Sequence, residues 1–121
     1  IIAGATGVAV SIGADFVKVT YPKLIDTNDP IVLAEKFKEA VSAAGRTMVI
    51  VSGGSKMGVP EFLQQLHNQI HISGAAGNAT GRNVHMRPLE EAVSLCNAIS
   101  AIVFDDLTPD EALKIYASKN V

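Results

Sequence analysis

The run Thr47 to Val51, TMVIV, constrains this chain more than any other segment. It joins β-branched and apolar residues without a break, between Gly45 ahead and Gly53-Gly54 behind, which is the pattern of a parallel strand buried on both faces. A parallel neighbour can be reached only through a crossover long enough to hold a helix, so helices are required on each side. The flanking sequence supplies them. Asp29 is placed to cap a helix with Pro30 in its first turn, and Leu33, Phe37, Val41 and Ala44 form one apolar stripe that stops at Gly45. On the other side Pro60 opens a second helix, with Leu63, Leu66 and Ile70 on one face.

The same alternation extends outward. Small apolar residues from Ile2 to Ile12 suit a closely packed helix ended by Gly13, and Phe16 to Tyr21 reads as a strand. Pro22 to Asp29 is a polar loop. Ala75 to Ala79 is a weaker strand of small residues, closed by Gly81-Arg82-Asn83. Leu89, Val93, Cys96, Ile99 and Val103 line a long helix, and Thr108-Pro-Asp-Glu111 has the spacing of a capping box for a short last one. The order α-β-α-β-α-β-α-α calls for an α/β fold with a parallel sheet and right-handed crossovers. Three strands alone leave two open edges, which a closed (β/α)8 barrel of about 250 residues would remove. The chain therefore reads as a late portion of such a TIM barrel, within one domain. The opening at Ile1-Ile2 without a Met fits part of a longer polypeptide.

Composition narrows the function. With 121 residues, 48% hydrophobic and 18% charged, the chain is not a disordered polymer. Ten Lys and Arg against twelve Asp and Glu leave a charge of -2, so no basic field exists for nucleic acid. No apolar run reaches the roughly 20 residues of a membrane span, and no basic stretch precedes the apolar start, so neither membrane nor targeting is expected. A single cysteine, Cys96, fits a reducing, cytoplasmic setting.

Reactive groups on a parallel sheet gather at the carboxyl ends of its strands. In the first strand Phe16, Lys18 and Thr20 share one face, and Val17 and Val19 the other. If the valines meet the helices, Lys18 enters the barrel, where desolvation favours the neutral amine, a nucleophile that forms Schiff bases with carbonyls. A structural ion pair with a carboxylate is the other reading of the same position. Ser52-Gly53-Gly54 follows a buried strand, and its glycines allow backbone amides close to a phosphate; a plain flexible turn is the alternative. It is not a nucleotide P-loop, because Val59 stands where that loop requires lysine. Gly81-Arg82 adds a further set of amides and a guanidinium at the next strand end, unless Arg82 is simply a surface residue. His67 and His71 lack the glutamate of HExxH and are expected on a solvated face, so no metal site is assigned. His85 only neighbours the Arg82 loop. Cys96 is expected as an inert core thiol, and Asp105-Asp106 as solvated.

At Gly-Ala-Asp-Phe-Val-Lys18, Ser52-Gly-Gly54 and Gly81-Arg-Asn83, in that order, the chain resembles the archaeal-type class I fructose-1,6-bisphosphate aldolases, a TIM-barrel family. The resemblance covers nearly the whole chain. It implies that the three strands are the sixth to eighth of the barrel, that Lys18 is the Schiff-base lysine, and that Ser52, Gly53, Gly54, Gly81 and Arg82 bind substrate phosphate. The implied reaction needs no metal and no cofactor. Lys18 attacks the ketone of fructose 1,6-bisphosphate, and the iminium draws electrons as the carbon–carbon bond breaks, releasing glyceraldehyde 3-phosphate and leaving an enamine of dihydroxyacetone phosphate. The phosphate loops would act by positioning. The family's proton-transfer tyrosine and aspartate come from earlier strands, so these 121 residues alone are expected to be nearly inactive. Tyr21 is no substitute, since the parity that turns Lys18 inward turns Tyr21 outward. The Pro22–Asp29 loop differs from the Tyr-Thr-Gly-Asp segment of many relatives, which leaves a related phosphosugar synthase or thiolase, or a noncatalytic phosphosugar-binding half-barrel, as alternatives. A homo-oligomer is implied by the family.

Overall fold

A computed structural model describes residues 1–118. Helix and strand alternate as α1 (Ile2–Ser11), β1 (Phe16–Val19), α2 (Pro30–Ala43), β2 (Met48–Ser52), α3 (Val59–His71), β3 (Gly77–Ala79), α4 (Arg82–His85), α5 (Leu89–Asp105) and α6 (Pro109–Ala117). Only the single turn α4 has no counterpart in the sequence expectation. Two compact units emerge: Ile1–Ser52 with Asn68–Ala79, and Gly53–His67 with the chain from Thr80 onward.

The first unit holds the sheet. Its strands lie in the order β1-β2-β3, all parallel, with Val17 level with Val49, Lys18 with Ile50, and Ile50 with Gly77. Alternation puts Val17, Val19, Val49 and Val51 on one face, where Val49 and Val51 pack with Phe37 and Ala40 of α2 and with Ala44 at its C-cap. Burying a side chain such as Phe37 there contributes about 1.5–3 kcal/mol. Local chemistry fixes the helices that cover this face. The Asp29 carboxylate accepts hydrogen bonds from Ile31 N at 2.8 Å and Val32 N at 3.3 Å, satisfying donors that the first turn leaves open. Gly13, at φ 93°, lets the chain turn out of α1 into β1.

The opposite sheet face is open. Phe16 is 54% and Met48 48% exposed, and Ile50 and Ser52 are half-buried. TMVIV is thus buried on one face here and not on both: helices cover its valines, whereas the second face is one that a closed barrel fills with side chains from its other strands. The outer strands are also shorter than the sequence suggested. Thr20 and Tyr21 leave the ladder ahead of Pro22, which has no N–H to donate. Pairing toward β3 starts at the bond from Ala76 N to Val49 O, 2.9 Å, before the strand proper.

In the second unit, α5 and α6 pack as a pair. Asp106, in the left-handed region at φ 55°, turns the chain between them. The capping box forms: Thr108 N donates to Glu111 Oε2 at 2.9 Å, and Glu111 N to Thr108 Oγ1 at 3.4 Å. The buried side of α5 carries Ser94, Leu95, Ala98, Ala101 and Ile102. This corrects the expected stripe. Leu89 is 80% exposed, Val93, Ile99 and Val103 are half-buried, and Cys96 is exposed, so it is no core thiol. A long helix apolar on most sides has no single stripe to read, and its alanine-bearing side is the one that admits a close neighbour. His67 is half-buried, not solvated, while His71, Asp105 and Asp106 are exposed. Among the described residues, no helix is long and apolar enough to cross a membrane.

Candidate active site

Lys18 stands in the middle of β1, on the open face of the sheet. Its parity is the expected one, since Val17 and Val19 turn to the helices. Its burial is not: the side chain is exposed, because no element of the first unit covers that face. Ser52, the last residue of β2, lies on the same face, two residues beyond Ile50, the register partner of Lys18. Tyr21 goes to the other side, where its ring meets Phe37 edge-on at 5.2 Å between centroids. Burial pushes its hydroxyl up to about 12, which makes it a poor proton donor or acceptor near neutrality.

The glycine loops belong to the second unit, and side-chain hydrogen bonds join them. Gly54, at φ 64°, occupies the left-handed region that glycine enters without penalty. Its carbonyl accepts a bond from Arg82 Nε at 3.1 Å. Gly53, Gly54 and Arg82, singled out separately from the sequence, are therefore brought together. Gly81 precedes α4 as its N-cap residue. Arg82 is exposed and makes this contact through Nε alone.

Asn83 and Arg87 are the residues that sequence reasoning missed. Asn83 is wholly buried. Its Nδ2 donates to Gly53 O at 2.8 Å and to Ser55 O at 3.0 Å, and its Oδ1 accepts from Met57 N at 2.9 Å. Arg87 closes the arrangement by donating from Nε to Asn83 O, 2.7 Å, and from a terminal nitrogen to Met57 O, 2.9 Å. It also reaches Glu91 at 4.0 Å. Lys56 folds over the same loop, its ammonium donating to Met86 O at 2.9 Å. The available signal was an amide side chain directly after Gly81-Arg82, a residue type that is rarely buried unless its hydrogen bonds are met. His85, at the end of α4, is exposed.

Comparison with known proteins shows what the chain is similar to. The profile described as DeoC/LacD family aldolase matches residues 1–87. The fructose-bisphosphate aldolase/6-deoxy-5-ketofructose 1-phosphate synthase of Methanocaldococcus jannaschii is 56% identical over 116 residues, 96% of this chain and 36% of that protein. A fructose-bisphosphate aldolase from Slackia heliotrinireducens superposes with a TM-score of 0.86 at 51% identity, over 98% of this chain and 36% of that one. An archaeal fructose-1,6-bisphosphate aldolase, solved with its catalytic lysine covalently bound to the carbinolamine intermediate of the substrate, superposes with a TM-score of 0.69 at 35% identity, over 85% of this chain and 37% of its own. The chain spans little more than a third of the length of these relatives, in keeping with the carboxyl-terminal portion of a TIM barrel. A profile match over most of the chain, with a parallel α/β architecture and a lysine on the open sheet face, leads to one conclusion: the chain belongs to the DeoC/LacD aldolase family.

Proposed function

We propose that this chain carries the imine-forming half of a class I, metal-independent aldolase that cleaves fructose 1,6-bisphosphate to dihydroxyacetone phosphate and glyceraldehyde 3-phosphate. The observation that carries the reading is Lys18. It is a primary amine on the open face of a parallel sheet, in a chain similar to an aldolase whose lysine was captured bound to its substrate. The amine adds to the substrate ketone, and loss of water from the carbinolamine gives an iminium. As the bond between the third and fourth carbons breaks, its electron pair flows into the iminium, and the fourth carbon's hydroxyl loses its proton and leaves as the aldehyde. Protonation of the enamine and addition of water then return the amine and release dihydroxyacetone phosphate. Ser52, Gly53, Gly54, Gly81 and Arg82 bind phosphate in this reading, supported by the hydrogen bonds that gather Gly53, Gly54 and Arg82. Such binding energy holds the carbonyl for attack. The reading also carries a cytoplasmic, homo-oligomeric enzyme of central sugar-phosphate metabolism.

A related phosphosugar synthase is the second reading, favoured by the second activity in the name of the Methanocaldococcus relative. One experiment tests the Schiff base that both share. The protein is incubated with dihydroxyacetone phosphate, reduced with borohydride, digested and weighed. The expected result is an adduct on Lys18. Ligand uptake without an adduct would leave a phosphosugar-binding module in place of an enzyme. With an adduct in hand, release of glyceraldehyde 3-phosphate from fructose 1,6-bisphosphate without added thiol, by a full-length barrel that carries this chain, separates the aldolase from a thiolase and, by its product, from the synthase.

A further inference from the structure

We infer that Asn83 is a positioning residue: together with Arg82 it turns three consecutive backbone amides, those of Gly54, Ser55 and Lys56, outward to form the phosphate cradle, Asn83 aiming the first and the third. This rests on the phosphate-binding reading above and deepens it by naming the donors and what aims them.

Peptide geometry decides where these amides point. In a trans peptide the carbonyl of one residue and the N–H of the next point in opposite directions, and the described chain has no cis peptide. Three successive carbonyls are each held by a side chain of α4. Gly53 O and Ser55 O both accept from Asn83 Nδ2, at 2.8 and 3.0 Å, and Gly54 O between them accepts from Arg82 Nε at 3.1 Å. The N–H groups of Gly54, Ser55 and Lys56 are thereby each directed away from the side chain that holds the preceding carbonyl. Those three residues are exposed, whereas Asn83 is wholly buried. The next amide reverses: Met57 N turns back to Asn83 Oδ1 at 2.9 Å, which ends the outward run. One side chain thus uses its donor end to fix two carbonyls and its acceptor end to close the loop, a combination that neither a carboxylate nor an aliphatic residue can supply. Successive amides converging near a glycine at φ 64° make a concavity suited to an anion. Arg87, bonded to Asn83 O and Met57 O, keeps the buckle itself from shifting.

The test is a titration of the protein with inorganic phosphate, followed by amide proton–nitrogen spectra. In the wild-type protein the Gly54, Ser55 and Lys56 amides should shift most, and the Met57 amide, already committed to Asn83, should shift little. Asn83→Leu, which keeps the branching and the number of side-chain heavy atoms but makes no hydrogen bonds, should weaken phosphate binding at least tenfold and scatter the shifts to other amides. Arg82→Ala, which frees only the Gly54 carbonyl and so only the Ser55 amide, should weaken binding while the Gly54 and Lys56 amides still respond. That difference in pattern separates aiming of the amides from simple support of the fold. Tight binding by Asn83→Leu, or a wild-type response that bypasses the three amides, would overturn the assignment. Because the wild-type pattern decides by itself, a variant that fails to fold does not rescue the idea. No phosphate response anywhere in the wild-type protein would instead remove the phosphate-site reading, and this inference with it.

Discussion

Lys18 is level with Ile50 in the β1–β2 ladder, and Ile50 with Gly77 in the β2–β3 ladder, so the row across the open sheet face reads lysine, isoleucine, glycine. The amine therefore has an apolar neighbour on its own face and, one strand further, no side chain at all. An imine needs a primary amine that can shed its proton, and a guanidinium has neither property. Lys18→Arg should therefore abolish the borohydride-trapped adduct while keeping the charge. Because the side chain is exposed, thermal or denaturant melting should change by no more than about 0.5 kcal/mol. A trapped adduct that survives in the Arg variant would move the chemistry to another lysine.

Gly54 and Gly4 separate backbone strain from crowding. A side-chain carbon added at either would meet nothing within 4 Å. Gly54, however, sits at φ 64°, and Gly4 lies inside α1. Gly54→Ala should destabilise by about 1–2 kcal/mol from the left-handed backbone alone. Gly4→Ala should stabilise by about 0.5–1 kcal/mol by lowering the entropy of the unfolded chain. Denaturant melts of the two variants should move in opposite directions.

What could be read in advance was periodic and local. Phe37 and Ala44 were found on the stripe of α2 because one face of that helix is apolar and the other is charged. The Asp29 cap and the Thr108 box were found because capping is settled within four residues. The parity of Lys18 followed from the two valines beside it. Its exposure did not, since that depends on which elements cover the second face of the sheet, and strand alternation carries no such information. Cys96 was misplaced because α5 is apolar on several sides, and its buried side is picked out by Ala98 and Ala101, which a search for large apolar residues passes over. In the sequence Asn83 stands out only as part of the Gly81-Arg82-Asn83 motif. Its role depends on carbonyls 28 to 30 residues away in the chain, and such pairings have no local signature.

Cys96 gives a direct check on the orientation of α5. An exposed thiol on a helix should react with a maleimide or a disulfide reagent in the folded protein, to one equivalent per chain. Labelling that requires denaturant would mean that the Leu89, Cys96 and Val103 side is covered and that the helix is rotated from the orientation described above.

Tyr21 makes stability depend on pH at the alkaline end. Its ring packs on Phe37 and burial raises the hydroxyl to about 12, against 10.0 in an unperturbed tyrosine. The folded value lies above the unfolded one, so the folded state resists the ionisation that the unfolded chain undergoes. The stability gained from the neutral phenol is complete below pH 10 and is lost as the pH rises from 10 through 12. Melting temperature should therefore fall over that window more steeply in the wild-type protein than in Tyr21→Phe, which keeps the ring contact and has nothing to ionise. Comparison of the two proteins cancels every contribution that they share. An absorbance titration of the folded protein should show the Tyr21 phenolate appearing late, and Tyr21→Phe should lose that late step. Parallel melting curves for the two proteins between pH 10 and 12 would mean that the Tyr21 hydroxyl is solvated and that the loop from Thr20 to Pro22 does not seat it against α2.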